Sequence, residues 1–121
     1  MTGVTGQVGW ELARSVPPGI TLDAADRTAL DLAADDVAER VVARRPDVII
    51  NAAAYTAVDR AESEPALAHR INAGGAAEVA RAARELGARL VHVSTDFVFD
   101  GSASRPYAPG SATAPLGVYG A

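Results

Sequence analysis

Three short apolar runs punctuate the chain: Ile20-Thr21-Leu22, Val48-Ile49-Ile50 and Leu90-Val91-His92-Val93. Each is rich in β-branched or bulky residues and gives way to small or polar positions, the pattern of a buried strand in a parallel sheet. Alanine-rich stretches with helical spacing lie between them. From Leu32 to Arg45, Val37, Val41 and Val42 share a face, and from Ala66 to Leu86, Ile71, Val79 and Leu86 recur. Strands alternating with crossover helices predict an α/β fold, a doubly wound parallel sheet with helices on both faces. Asp31 or Asp35 stands where a cap for the second helix is needed, Pro46 follows that helix, and Gly87 closes the long third one. From Gly101 to Gly117 the chain turns to Gly, Pro, Ser and Ala, with Pro106, Pro109 and Pro115, and reads as loop. Long loops at the carboxyl ends of such strands commonly carry function.

Composition narrows the classes. The 121 residues, 49% hydrophobic and without an internal repeat, fit one domain spanning 1–121, or part of one. The net charge is −4 and all eleven basic residues are scattered arginines, so no basic footprint for nucleic acid or an acidic membrane surface is expected. No cysteine is present, which removes disulfides and thiol chemistry and fits a reducing cytoplasm. No apolar stretch reaches membrane-spanning length, and the N-terminus has no secretion-signal pattern, so a soluble cytoplasmic protein is expected. His69 and His92 stand at no metal-ligand spacing, and no metal site is expected. Lysine is absent altogether.

The first candidate chemistry lies at the N-terminus, where Gly3, Gly6 and Gly9 spell GxxGxxG and open a helical run from Trp10 to Ser15. The first glycine permits a tight turn, the second lets a pyrophosphate approach the backbone, and the third allows close helix packing. The helix N-terminus then offers free N–H groups and a positive dipole end to phosphate. Such a motif should follow a strand, yet only Met1 precedes it. The first strand is therefore expected to be missing, and the fold to be incomplete at both ends. In a sheet of order 3-2-1-4 that strand is central, so its loss would leave strand edges unpaired and remove a buried apolar row. A sequence that starts late, and a polypeptide of poor stability as written, are the corresponding expectations.

Two further segments occur at strand ends: Asn51-Ala52-Ala53-Ala54-Tyr55-Thr56-Ala57-Val58-Asp59-Arg60-Ala61-Glu62 and Ser94-Thr95-Asp96-Phe97-Val98-Phe99-Asp100-Gly101. A third, Pro115-Leu116-Gly117-Val118-Tyr119-Gly120, closes the chain. With these in order, the chain from Met1 to Ala121 resembles the dTDP-4-dehydrorhamnose reductase family of extended short-chain dehydrogenases. The resemblance implies a Rossmann-type site for NADPH or NADH, with Gly3, Gly6, Gln7, Val8 and Gly9 forming the phosphate loop. Asp26 and Arg27 would stand at the ribose, where a carboxylate favours NAD and a guanidinium favours NADP, so the pair leaves the choice open. Asp31 and Leu32 would meet the adenine, and Ala52, Ala53 and Ala54 would let ribose and nicotinamide lie close over the strand end.

For chemistry, the resemblance makes Thr95 and Tyr119 the hydroxyl pair, the tyrosine giving a proton to the sugar C4 carbonyl oxygen and the threonine orienting it. Ser94 is the rival for the threonine's role. Asp96, Phe97 and Val98, with Thr95 and Tyr119, would line the sugar pocket, and Asn72 either binds a water or backbone group near the site or lies on the helix surface. An isolated phenol titrates near 10, so the tyrosine needs help. The family's lysine stands four positions after it, which here would be position 123, beyond Ala121. The implied reaction is reduction of a dTDP-4-keto sugar, with the 121-residue polypeptide itself inactive. Another nucleotide-sugar dehydrogenase or epimerase, and a non-catalytic NADP-binding regulatory subunit, remain alternatives; a homodimer is left open.

Overall fold

Two strands, β1 (Val48–Asn51) and β2 (Arg89–His92), pair in parallel in a computed structural model that describes residues 1–121, with Val48 opposite Arg89 and Asn51 opposite His92. They match the second and third apolar runs, and the ladder continues with Val93 N–H donating to the Asn51 carbonyl at 3.1 Å. Thr2 makes isolated parallel bridges to both Ala25 and Asn51. Its amide donates to the Ile50 carbonyl at 3.0 Å, and the Ala25 amide donates to the Met1 carbonyl at 2.8 Å. Two residues thus occupy the centre of the sheet, and Thr2 is only 3% exposed.

The spatial order is residue 25, residue 2, β1, β2. The apolar run at 48–50 therefore lies beside the N-terminal segment, not beyond the run at 20–22 as an order of 3-2-1-4 would have it. The run at 20–22 does not become a strand. Ile20 is 62% exposed and only Ala25, five residues later, is paired. An extended segment needs a neighbour to receive its ladder hydrogen bonds, and here only Met1 and Thr2 supply one.

The helices are α1 (Gln7–Arg14), α2 (Val37–Arg44), the single turn α3 (Val58–Ala61), α4 (Pro65–His69) and α5 (Ala76–Leu86). A π-helical segment, Arg70–Gly75, joins α4 to α5 in one run that corresponds to the expected third helix. Its end follows the sequence signal, since Gly87 adopts φ 65° and its N–H reaches back to the carbonyls of the last turn. The second helix begins at Val37, not Leu32. Residues 31–34 instead form a turn in which Ala33 N–H donates to Asp31 Oδ1, and the Arg70 guanidinium takes the carbonyls of Ala33 and Ala34 and the Asp35 carboxylate. With their carbonyls claimed from outside, these residues are not free to start the helix. Asp36, at the N-cap, makes no cap bond and pairs with Arg40 at 2.8 Å.

The core lies on one face of the sheet. Ile49, with Leu90 packed against it, meets Val37, Ala38 and Val41 of α2 and Val79, Ala82 and Ala83 of α5. Alternation along a strand puts Val48, Val91 and Val93 on the other face, where each is about half exposed. No helix is long and apolar enough to cross a membrane.

Candidate functional site

A cleft of about 740 Å³ opens over the carboxyl ends of the strands. One wall is the glycine loop. Gly3 has φ 73°, and a Cβ there would stand 2.7 Å from the backbone of Ala52, so neither the conformation nor the space accepts a side chain. Gly9 is buried in α1 against the Gly3 carbonyl, where a Cβ would collide with backbone. It lies behind the cleft and fixes how closely the helix approaches the loop, the packing role expected of a third glycine. Gly6, Gln7 and Val8 line the cleft itself. At the helix N-terminus, Gly6 makes no side-chain cap, the first turn holds no acid, and the first backbone bond into the helix is Trp10 N–H to the Gly6 carbonyl. The Gly6 amide donates to the Gly3 carbonyl at 3.0 Å, while the amides of Gln7 and Val8, both lining the cleft, have no backbone partner and offer a ready seat for phosphate.

The opposite wall comes from residues 26–32. Asp26, Arg27, Asp31 and Leu32 all line the cleft, joined by Leu30. One oxygen of the Asp26 carboxylate, Oδ1, is occupied by its own turn: it accepts from the Thr28 hydroxyl at 2.7 Å and from the Thr28 and Ala29 amides at 2.9 Å. These bonds, the hydroxyl's foremost, hold it below the usual carboxylate range. Asp31 is lowered as well, chiefly by the Ala33 amide and then by Arg27, whose guanidinium lies 3.3 Å away. Arg27 is otherwise free, its side chain 72% exposed.

The floor is the end of β1. Ala52, Ala53 and Ala54 line the cleft, and beneath them Asn51, 1% exposed, ties three segments together. Its Oδ1 accepts from the Thr2 hydroxyl at 2.6 Å and the Ala53 amide at 3.2 Å. Its amide group therefore faces His92 Nδ1, 3.1 Å away, which must act as acceptor. His92 is thus a strand residue that also lines the cleft, whereas His69 is exposed at the end of α4.

Asn72 resolves toward backbone binding. It sits in the π-helical segment, accepts the Tyr55 amide at 2.7 Å and donates to the Tyr55 carbonyl at 3.0 Å. A one-residue bulge in a helix re-aims a side chain, and here it aims an asparagine at the loop after β1. Tyr55 was not singled out in the sequence; its hydroxyl donates to Glu64 at 2.6 Å, which raises its pKa, while Arg60 first and then Tyr55 lower that of Glu64. Thr5, Thr56, Ile71 and Val93 also line the cleft without a sequence signal beyond adjacency to the motifs.

Thr95 and Tyr119, 24 residues apart, line the same cleft, with Ser94 and Val98 beside them. The Thr95 oxygen accepts Phe97 N–H at 3.2 Å and so caps the short 3₁₀ turn Asp96–Val98. Asp96 and Phe97 face away from that cleft into an adjoining pocket of about 430 Å³, whose other wall is Val58, Leu116 and the far side of Tyr119. Phe97 and Tyr119 meet edge to face, centroids 5.4 Å apart. The phenol therefore stands between two spaces, one lined by the glycine loop and one lined by Asp96 and Phe97. No three His, Cys, Asp or Glu side chains cluster as metal ligands would.

Comparison with known proteins follows the same lines. A family model described as RmlD substrate binding domain matches residues 1–121. The chain is 51% identical over 123 residues to dTDP-4-dehydrorhamnose reductase of Escherichia coli K12, and 47% identical over 124 residues to that of Mycobacterium tuberculosis H37Rv. In each case 98% of this chain is aligned, against 41% and 40% of the relative, so the chain spans about two fifths of the length of these curated relatives. A crystal structure of dTDP-4-dehydrorhamnose reductase from Bacillus anthracis in complex with NADP superposes with a TM-score of 0.93 at 41% identity, covering 98% of this chain and 43% of that one.

Proposed function

The chain belongs to the RmlD substrate binding domain family, since that family's model matches it from end to end, and from this we propose that it is the cofactor-holding segment of an NADPH-dependent dTDP-4-dehydrorhamnose reductase. One observation carries the reading: the glycine loop, the small residues after β1, Thr95 and Tyr119 all face one cleft. The relatives' names and the NADP in the Bacillus anthracis structure support the substrate and cofactor classes.

The residues present fit a dinucleotide. The orphan amides of the α1 N-terminus receive the pyrophosphate, and Ala52–Ala54 leave room for ribose and nicotinamide over the strand end. Asp31 and Leu32 meet the adenine. Between Asp26 and Arg27, only Oδ1 of the carboxylate is taken up by its own turn and both residues line the cleft; the exposed Arg27 guanidinium suits the 2′-phosphate of NADPH, and the NADP in the Bacillus anthracis structure supports the same choice.

When bound, the cofactor supplies the hydride. That hydride would be taken up at C4 of the sugar; the Tyr119 phenol gives its proton to the carbonyl oxygen, which becomes the hydroxyl, and is left as a phenolate to be reprotonated. Thr95 orients that oxygen by hydrogen bonding. Val98 lines the same cleft, and Asp96 and Phe97 line the adjoining pocket on the other side of Tyr119. The whole protein, a soluble cytoplasmic enzyme in this reading, is expected to oxidise NADPH only when the dTDP-4-keto sugar is added. Absence of sugar-dependent NADPH loss in the purified whole protein would refute the assignment.

A further inference from the structure

Tyr119 follows the glycine- and proline-rich stretch that ends at Gly117, and a proton donor must be held in register with the bond it protonates. The structure shows what holds it. Glu62, the residue that follows α3, reaches across 56 positions of sequence and accepts the Val118 amide on Oε1 at 2.8 Å. Gly117 leaves the space for this: a Cβ there would lie 2.8 Å from the same oxygen. On its other side the loop is tied to the 3₁₀ turn, through Ala114 N–H to the Val98 carbonyl at 2.9 Å and through the Phe97 ring against the Tyr119 ring. Glu62 is the sole side chain that hydrogen-bonds to the backbone of residues 117–120.

We infer that Glu62 is the positioning residue of Tyr119, its carboxylate docking the peptide one residue before the phenol onto the segment that follows β1. This rests on the reading of Tyr119 as proton donor. An acidic acceptor is suited to the task, because a charge-assisted bond to an amide is stronger than a neutral one. Glu62 itself lines neither the cleft nor the adjoining pocket, so it acts through the loop.

The test uses the whole protein and four variants: Glu62→Ala, Glu62→Gln, Gly117→Ala and the double variant Glu62→Ala/Gly117→Ala. Removing the acceptor lowers kcat about tenfold or more, as a small misplacement of a reacting group does, while the Kd for NADPH stays within about twofold because the cofactor walls are untouched. Glu62→Gln keeps an amide oxygen to accept the Val118 amide and restores most of the rate. Gly117→Ala pushes the carboxylate off and behaves like Glu62→Ala, and the double variant is no slower than either single one. Hydrogen exchange of residues 117–121 is faster in Glu62→Ala and near wild type in Glu62→Gln. An active wild type with an equally active Glu62→Ala, or a Glu62→Gln as slow as Glu62→Ala, overturns the inference. If the wild type oxidises no NADPH, the reductase reading fails instead, and unchanged exchange at 117–121 in Glu62→Ala then overturns the docking as well.

Discussion

At the residue scale, the ribose-side pair makes a sharp prediction. Arg27 is the exposed cation of the cleft wall, so Arg27→Gln is expected to weaken NADPH binding about tenfold, the worth of one charged hydrogen bond, and to leave NADH unchanged. Fluorescence titration of both cofactors decides it, and equal losses for the two would count against Arg27 as the phosphate reader. The sequence could not choose between the two residues, because nothing local tells which of them keeps an unpaired polar group toward the cleft. Acid provides a second check. Asp26 and Asp31 have folded pKa values lowered by their hydrogen bonds, so their contribution to stability is complete above the unfolded carboxylate value near ~4 and is lost as pH falls through the lowered values. The urea midpoint should therefore drop more steeply below about pH 4 in the wild type than in Asp26→Asn, whose amide oxygen still accepts but does not titrate. Matching acid slopes would show that Asp26 contributes nothing.

Among the elements, the π-helical segment matters most for the site. It turns Asn72 toward Tyr55, where one side chain satisfies both a backbone donor and a backbone acceptor in the loop after β1. Asn72→Ala leaves that partly buried peptide unpartnered and is expected to cost ~1–3 kcal/mol, read as a lowered thermal midpoint, whereas a change within experimental error would mean that water replaces the amide. Periodicity showed a helix from 66 to 86 but could not show the bulge, because one wide turn barely disturbs the spacing of Ile71, Val79 and Leu86. It erred more at 32–36, where alanines and aspartates read as helix. The Arg70 guanidinium, 35 to 37 residues away in sequence, claims those carbonyls, and no local pattern reports such a partner.

Across the whole molecule, the strands at 48–51 and 89–92 were legible because their cores of Ile49 and Leu90 are buried by helices of matching period. The run at 20–22 has the same composition without a neighbour, and remains exposed. Ile20, Trp10, Val48, Val91 and Val93 are large apolar side chains each about half exposed or more on this polypeptide. The 121-residue chain on its own is therefore expected to bind a hydrophobic dye and to unfold broadly with temperature, and a sharp cooperative transition without dye binding would contradict this.

The pairing of Thr2 sets the order in which the sheet can be assembled. Its partners lie 23 and 49 residues along the chain, so neither contact can form until a long loop has been closed, and that entropy is lost before the ladder returns anything. The α2–α5 pair and the β1–β2 ladder form without Thr2. Thr2 alone bridges residue 25 to β1, and it is expected to join them after those elements have formed. A substitution there, such as Thr2→Ala, is then expected to accelerate unfolding while leaving the refolding rate nearly unchanged.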